Sequence, residues 1–66
     1  MRVILNGEPR ELNDGATVDA AVEVTGAPER GVAVAVDGEV VPRGQWTNTE
    51  LHEGQKVEVL QAVQGG

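Results

Sequence analysis

Apolar positions fall in short alternating runs along this chain, and glycine-containing turns separate the runs. Met1–Leu5 is an apolar, β-branched stretch followed by Asn6-Gly7. Both residues of that pair tolerate positive φ, which predicts a tight hairpin turn. Glu8–Leu12 reads as the returning strand, and Pro9 within it places that strand at an edge or a bulge. Asn13-Asp14-Gly15 marks a second turn. Thr17 then stands where a helix N-cap belongs, with Asp19 in the first turn, where the helix dipole favours an anion. Val18, Ala21, Val22 and Thr25 recur at i, i+3, i+4 and i+7, so one face of this helix is apolar. Gly26 ends it and Pro28 prevents its resumption. Valines are mediocre helix formers, so a helix this short needs packing on a sheet.

Val32-Ala33-Val34-Ala35-Val36 alternates large and small side chains with period two. Such a strand turns its larger residues to a helix and its smaller ones to the opposite face. Asp37-Gly38 is another tight turn, Glu39–Val41 returns, and Pro42-Arg43-Gly44 breaks the strand. Gln45–Leu51 is irregular, with a helical turn expected near Thr47. Glu53-Gly54 is the last turn and Lys56–Val63 the last strand.

Two hairpins thus flank a single helix. With the first and last strands side by side in parallel, the sheet is mixed. The expected class is α+β: four to five strands, one helix packed across a face, and a flexible C-terminal tail at residues 64–66. Residues 1–66 read as one domain. Its expected core is Val3, Leu5, Val18, Val22, Val34, Val36, Leu51, Val57 and Val59. Trp46, the only aromatic residue, is expected to close one end of it.

Composition narrows the chemistry. A chain of 66 residues buries a limited core and has no room for a cleft between two lobes. It contains no cysteine, which removes disulfides, thiolate metal sites and thiol nucleophiles. Serine and tyrosine are also absent, and with them most nucleophilic triads. The single histidine, His52, has no clustered partners and reads as a loop residue. Eleven acidic against five basic residues give a formal net charge of −6. That balance argues against nucleic acid or an anionic membrane as partner. It suits docking onto basic protein surfaces. No apolar run reaches the length of a membrane span and no signal-peptide pattern opens the chain. A cytoplasmic location is therefore expected.

The last residues are Gly65-Gly66. Glycine loses the most freedom on ordering and adds nothing to a core, so a mobile, extended tail is expected. Such a tail can enter a narrow active site, with no side chain to crowd attack at its terminal carbonyl. In the last strand, Val57 and Val59 are expected to face inward. Leu60 and Ala62 then fall on the opposite face, and Ile4 of the neighbouring strand should share it. Ile4, Leu60 and Ala62 are the candidate partner interface.

The element order is that of the ubiquitin-like β-grasp fold, and several segments resemble the thiamine sulfur-carrier (ThiS-like) family. They are Asn6-Gly7-Glu8, Gly15 with Thr17-Val18, Val36 through Trp46, Glu53 through Val59, Gln61-Ala62-Val63 and Gly65-Gly66. The most specific is Val41-Pro42-Arg43 with Trp46. Gln64 stands where members of the family often carry a third glycine.

The resemblance implies a carrier whose Gly66 carboxylate is adenylated by a ThiF-like adenylyltransferase that uses ATP. The carrier itself binds no cofactor and performs no catalysis. A persulfide, supplied ultimately by a cysteine desulfurase, then yields a thiocarboxylate on Gly66. A ThiG-like thiazole synthase takes up that sulfur in thiamine biosynthesis. Other classes compatible with the residues are a sulfur carrier for molybdopterin, cysteine or tRNA thiolation, a ubiquitin-like protein modifier, and a plain β-grasp binding module.

Overall fold

The computed structural model describes residues 1–28 and 30–61. Its strands are β1 (Arg2–Leu5), β2 (Glu8–Glu11), β3 (Val32–Val36), β4 (Glu39–Val41) and β5 (Lys56–Gln61), with one helix, α1 (Val18–Thr25). They form a five-stranded sheet in the order β2-β1-β5-β3-β4. β1 and β5 run parallel at its centre, in the register Ile4↔Lys56 and Leu5↔Val57. Every other pairing is antiparallel. This is the mixed sheet and single helix of the β-grasp fold.

Local sequence accounts for both hairpins. Asn6 and Asp37 adopt φ of 50°, and Gly7 and Gly38 follow at 83° and 84°. Two consecutive positive-φ residues give the turn whose twist matches paired strands. Pro9 lies in the edge strand β2, where its missing N–H removes no bond to a further strand.

Helix α1 has only eight residues, too few to be stable alone. Val18, Ala21 and Val22 bury its apolar face against the sheet. The helix ends at Gly26, whose φ of 72° is left-handed and whose N–H donates to the Glu23 carbonyl. Its start differs from expectation. Thr17 occupies the N-cap position, but its hydroxyl makes no capping bond and donates to the Asp19 carboxylate instead. The segment is held by an isolated antiparallel bridge between Thr17 and Glu50. There Val18 N–H donates to the Thr49 carbonyl at 3.0 Å and Leu51 N–H to the Ala16 carbonyl at 2.8 Å.

The core comprises Val3, Leu5, Val18, Ala21, Val22, Val34, Trp46, Leu51, Val57 and Val59. Val36, expected among them, is only half-buried. It sits at the end of β3, opposite Glu39 and just before the solvent-exposed turn. The helical turn expected near Thr47 is a 3-10 helix that begins four residues earlier, Arg43–Asn48. Pro42 leads into it with φ −58°, and its carbonyl accepts from Gln45 N–H at 2.8 Å. The early start brings Trp46 inward, and the ring closes one end of the core as its sequence position suggested.

Both turn residues tie down β5, Asp37 at its start and Asn6 at its fourth residue. The Asp37 carboxylate accepts from Lys56 N–H at 3.0 Å and from the Gln55 side-chain amide at 3.1 Å. The Asn6 side chain accepts from Val59 N–H at 2.8 Å and donates to the Val59 carbonyl at 3.3 Å. The strand that leads toward Gly66 is thus braced by side chains where its neighbours turn away.

Candidate functional site

Of the predicted site residues, Ala62, Gly65 and Gly66 lie outside the described residues, as does the tail at 64–66. The structure defines the platform that precedes them.

β5 presents two faces. Val57 and Val59 are buried, whereas Lys56, Glu58 and Leu60 are exposed. Parallel register places Ile4 beside Lys56, so Ile4 and Leu60 share the outer face of the sheet as expected. They are not neighbours, however. Four residues of β5 separate the rows of Ile4 and Leu60, about 13 Å of strand. Ile4 is half-buried on the wall of a hollow of about 280 Å³ that Asn6, Gly7, Lys56, Val57 and Glu58 also line.

Leu60 has different apolar company. It stands directly across from Ala33, while Ala35 is flanked by Glu58 on one side and Val40 on the other. Leu60 is 62% exposed and Val40 74%. The outer face therefore carries two large, solvent-exposed apolar side chains across a floor of alanines, with Ile4 toward the far edge. Ala33, Ala35 and Val40 were missing from the predicted interface. The alternation of β3 did signal small residues on that face. Their junction with Leu60 depends on the strand order β5-β3-β4, which alternation alone does not specify.

Charge on this face is mixed. Arg2 and Glu11 pair across β1 and β2 at 3.2 Å. Both are well exposed, so the pair adds little stability. At the other end of the molecule the Arg43 guanidinium lies 5.5 Å from the centre of the Trp46 ring. This is a cation–π contact that covers the edge of the core.

Among the described residues the interior holds no buried polar or charged side chain. No group of three or more His, Cys, Asp or Glu among them is placed to hold a metal. His52 is exposed, and its N–H donates to the Gln55 side chain within a turn. No helix among the described residues is long and apolar enough to cross a membrane.

A β-grasp sheet with exposed Leu60 and Val40 on its outer face, whose central strand β5 precedes a Gly-Gly pair in the sequence, defines the ubiquitin-like class of small carrier folds. Comparison with known proteins narrows the class. The chain belongs to the ThiS family, whose model matches residues 3–66. It is 39% identical to the sulfur carrier protein ThiS of Thermus thermophilus, over 97% of this chain and 98% of that protein. It is 32% identical to a thiazole synthase of Paramagnetospirillum magneticum over all of this chain. It spans only 20% of the length of that enzyme. The crystal structure of the thiamine biosynthesis protein ThiS from Geobacter metallireducens superposes with a TM-score of 0.81 at 26% identity, covering both chains fully.

Proposed function

We propose that this chain is a sulfur carrier that delivers sulfur as a thiocarboxylate on Gly66 for thiazole formation in thiamine biosynthesis. The observation that carries the reading is the ThiS-family match, which runs through Gly65-Gly66. The chain acts as a substrate of its partner enzymes and works in the cytoplasm.

A carboxylate is a poor electrophile and must first gain a leaving group. In the proposed sequence, a Gly66 carboxylate oxygen attacks the α-phosphorus of ATP on an adenylyltransferase, and pyrophosphate departs. The terminal sulfur of a persulfide, charged by a cysteine desulfurase, then attacks the acyl carbon and displaces AMP. This leaves an acyl disulfide. A thiol attacks the outer sulfur of that bond, is oxidised to a disulfide with it, and frees the Gly66 thiocarboxylate. The unbranched Gly65-Gly66 end keeps the acyl carbon open to each attack.

The partner that receives the sulfur is a thiazole synthase. Support comes from the Paramagnetospirillum enzyme, which carries a stretch matching this whole chain within its own polypeptide. Docking uses the outer face of the sheet around Leu60 and Val40, with Ile4 and Ala62. Acidic charge steers the approach.

Incubation with ATP, a ThiF-like adenylyltransferase and a persulfide donor tests the reading. The intact mass should rise by the difference between sulfur and oxygen. The cysteine-free chain should then become alkylated by a thiol-selective reagent at its C-terminus. Gly66→Val should remain unlabelled. A wild-type chain that never gains alkylatable sulfur, or a Gly66-deleted chain that does, overturns the proposal.

A further inference from the structure

The outer face of β5 carries two opposite charges with no ion-pair partner among the described residues. Lys56 and Glu58 are both exposed on that face, two residues apart, which is about 7 Å along the strand. Across the sheet each meets an apolar residue, Lys56 beside Ile4 on β1 and Glu58 beside Ala35 on β3. An opposite charge at either place would have stabilised the pairing. The ion pairs among the described residues join Met1, Arg2, Glu11 and Asp14, and leave both out. The Asp37 carboxylate at the start of β5 accepts from the Lys56 backbone N–H and the Gln55 amide, not from the Lys56 ammonium.

β5 is the central strand of the sheet, so these charges stand in the middle of the outer face. Both rim the hollow of about 280 Å³ beside Ile4, and Leu60 follows Glu58 by two residues on the same face. In the free chain water solvates each charge. A partner seated on Leu60 and Ile4 strips that water, and an ion left unpaired there strongly opposes binding. The net charge of −6 favours a basic partner. A uniformly basic surface would satisfy Glu58 and repel Lys56, the only lysine of the chain.

We propose that Lys56 and Glu58 determine which partner the sheet face accepts, an inference that rests on the carrier reading above. The partner is the ThiF-like adenylyltransferase, the first in the proposed sequence, whose selectivity decides whether this chain is loaded at all. Its docking surface carries a carboxylate against Lys56 and an arginine or lysine against Glu58, about 7 Å apart. Apolar contact at Leu60 and Val40 has no direction. The ordered pair of charges gives it one along β5. A partner with the reverse pattern, or the same partner turned end for end, sets acid against Glu58 and base against Lys56 and is rejected.

The test titrates the full chain calorimetrically against the adenylyltransferase, beside Lys56→Glu, Glu58→Lys and the double exchange that combines them. Both positions are exposed, so these variants should melt close to wild type. The double exchange keeps the net charge at −6, so long-range attraction is preserved and only the local pattern is inverted. Its Kd should rise roughly ten-fold or more, and each single reversal should also weaken binding. Lys56→Gln and Glu58→Gln remove one charge without adding its opposite. Each should weaken binding several-fold, which decides the matter if a reversal fails to fold. Docking governed by net charge alone gives a different pattern: Lys56→Glu binds more tightly, Glu58→Lys more weakly, and the double exchange like wild type. That pattern overturns the inference, as does wild-type binding by both glutamine variants. A wild-type chain that the enzyme neither binds nor adenylates is a different result, since it removes the carrier reading itself.

Discussion

The Trp46 indole N–H donates to the Val41 carbonyl oxygen at 2.9 Å. This bond joins the end of β4 to the 3-10 helix and lets the largest side chain of the molecule enter the core with its one polar atom satisfied. Trp46→Phe should keep most of the packing and lose the bond, at a cost of about 1 kcal/mol. Trp46→Ala should cost about 3–5 kcal/mol, enough to unfold a domain this small at ambient temperature. Thermal and urea melts of the two variants check the order.

Depth in the sheet should decide the response to a buried charge. Val57 is fully buried and Val34 nearly so. Val57→Asp or Val34→Asp should therefore abolish the cooperative melt, because a carboxylate without a partner would enter the core. Val36 lies at the end of β3 and is half-buried, so Val36→Asp should keep a cooperative melt with a smaller loss of stability. Equal losses in the two classes would contradict the core described here.

The outer face is testable without disturbing the fold. Leu60 and Val40 are largely exposed, so Leu60→Asp and Val40→Asp should melt close to wild type. Each should weaken binding to the adenylyltransferase or the thiazole synthase by more than about 1 kcal/mol if the face is a docking surface. Calorimetric titration of the folded variants measures the loss. Added salt should slow association, because the net charge of −6 acts at long range.

The N-terminal amine gives a pH signature. It donates to the Leu12 carbonyl at 2.8 Å and to the Asp14 carboxylate at 3.1 Å. The hydrogen bond to Asp14 raises its pKa above the usual 8.0. A raised folded-state value stabilises the fold while the amine is charged. That contribution is complete below the unfolded value and is lost as pH rises through the folded one. Wild type should therefore lose stability on passing into mild alkali, and Asp14→Asn should lose less over the same range. Urea melts across that range, with direct titration of the amine by NMR, provide the measurement.

Much of this protein was legible in local sequence. The Asn6-Gly7 and Asp37-Gly38 hairpins follow from residues that tolerate positive φ, and the Gly26 stop follows from the same property. Period two in β3 and β5 and the i, i+3, i+4 spacing of Val18, Ala21 and Val22 identified the buried faces, because a pleated strand and a helix repeat at fixed intervals. The same periodicity put Ile4 and Leu60 on one outer face. The Gly-Gly end and the Val-Pro-Arg segment with Trp46 pointed to the family.

Tertiary structure decided whatever depends on partners distant in sequence. Thr17 has the residue type of a cap, yet its N-cap position is stabilised by the Thr17–Glu50 bridge. Val36 has the periodicity of the core, yet the end of its strand leaves it half covered. The 3-10 helix begins at Arg43 because Trp46 must reach a core assembled from five other segments. Val40 and Ala33 join Leu60 only through the strand order. Asn6 reads as a turn residue, and its side chain finds Val59 only once β1 and β5 lie parallel. Local periods and φ preferences are properties of a few neighbouring residues. Which strand lies beside which is set by the burial of one shared apolar face, and no short stretch of sequence contains that information.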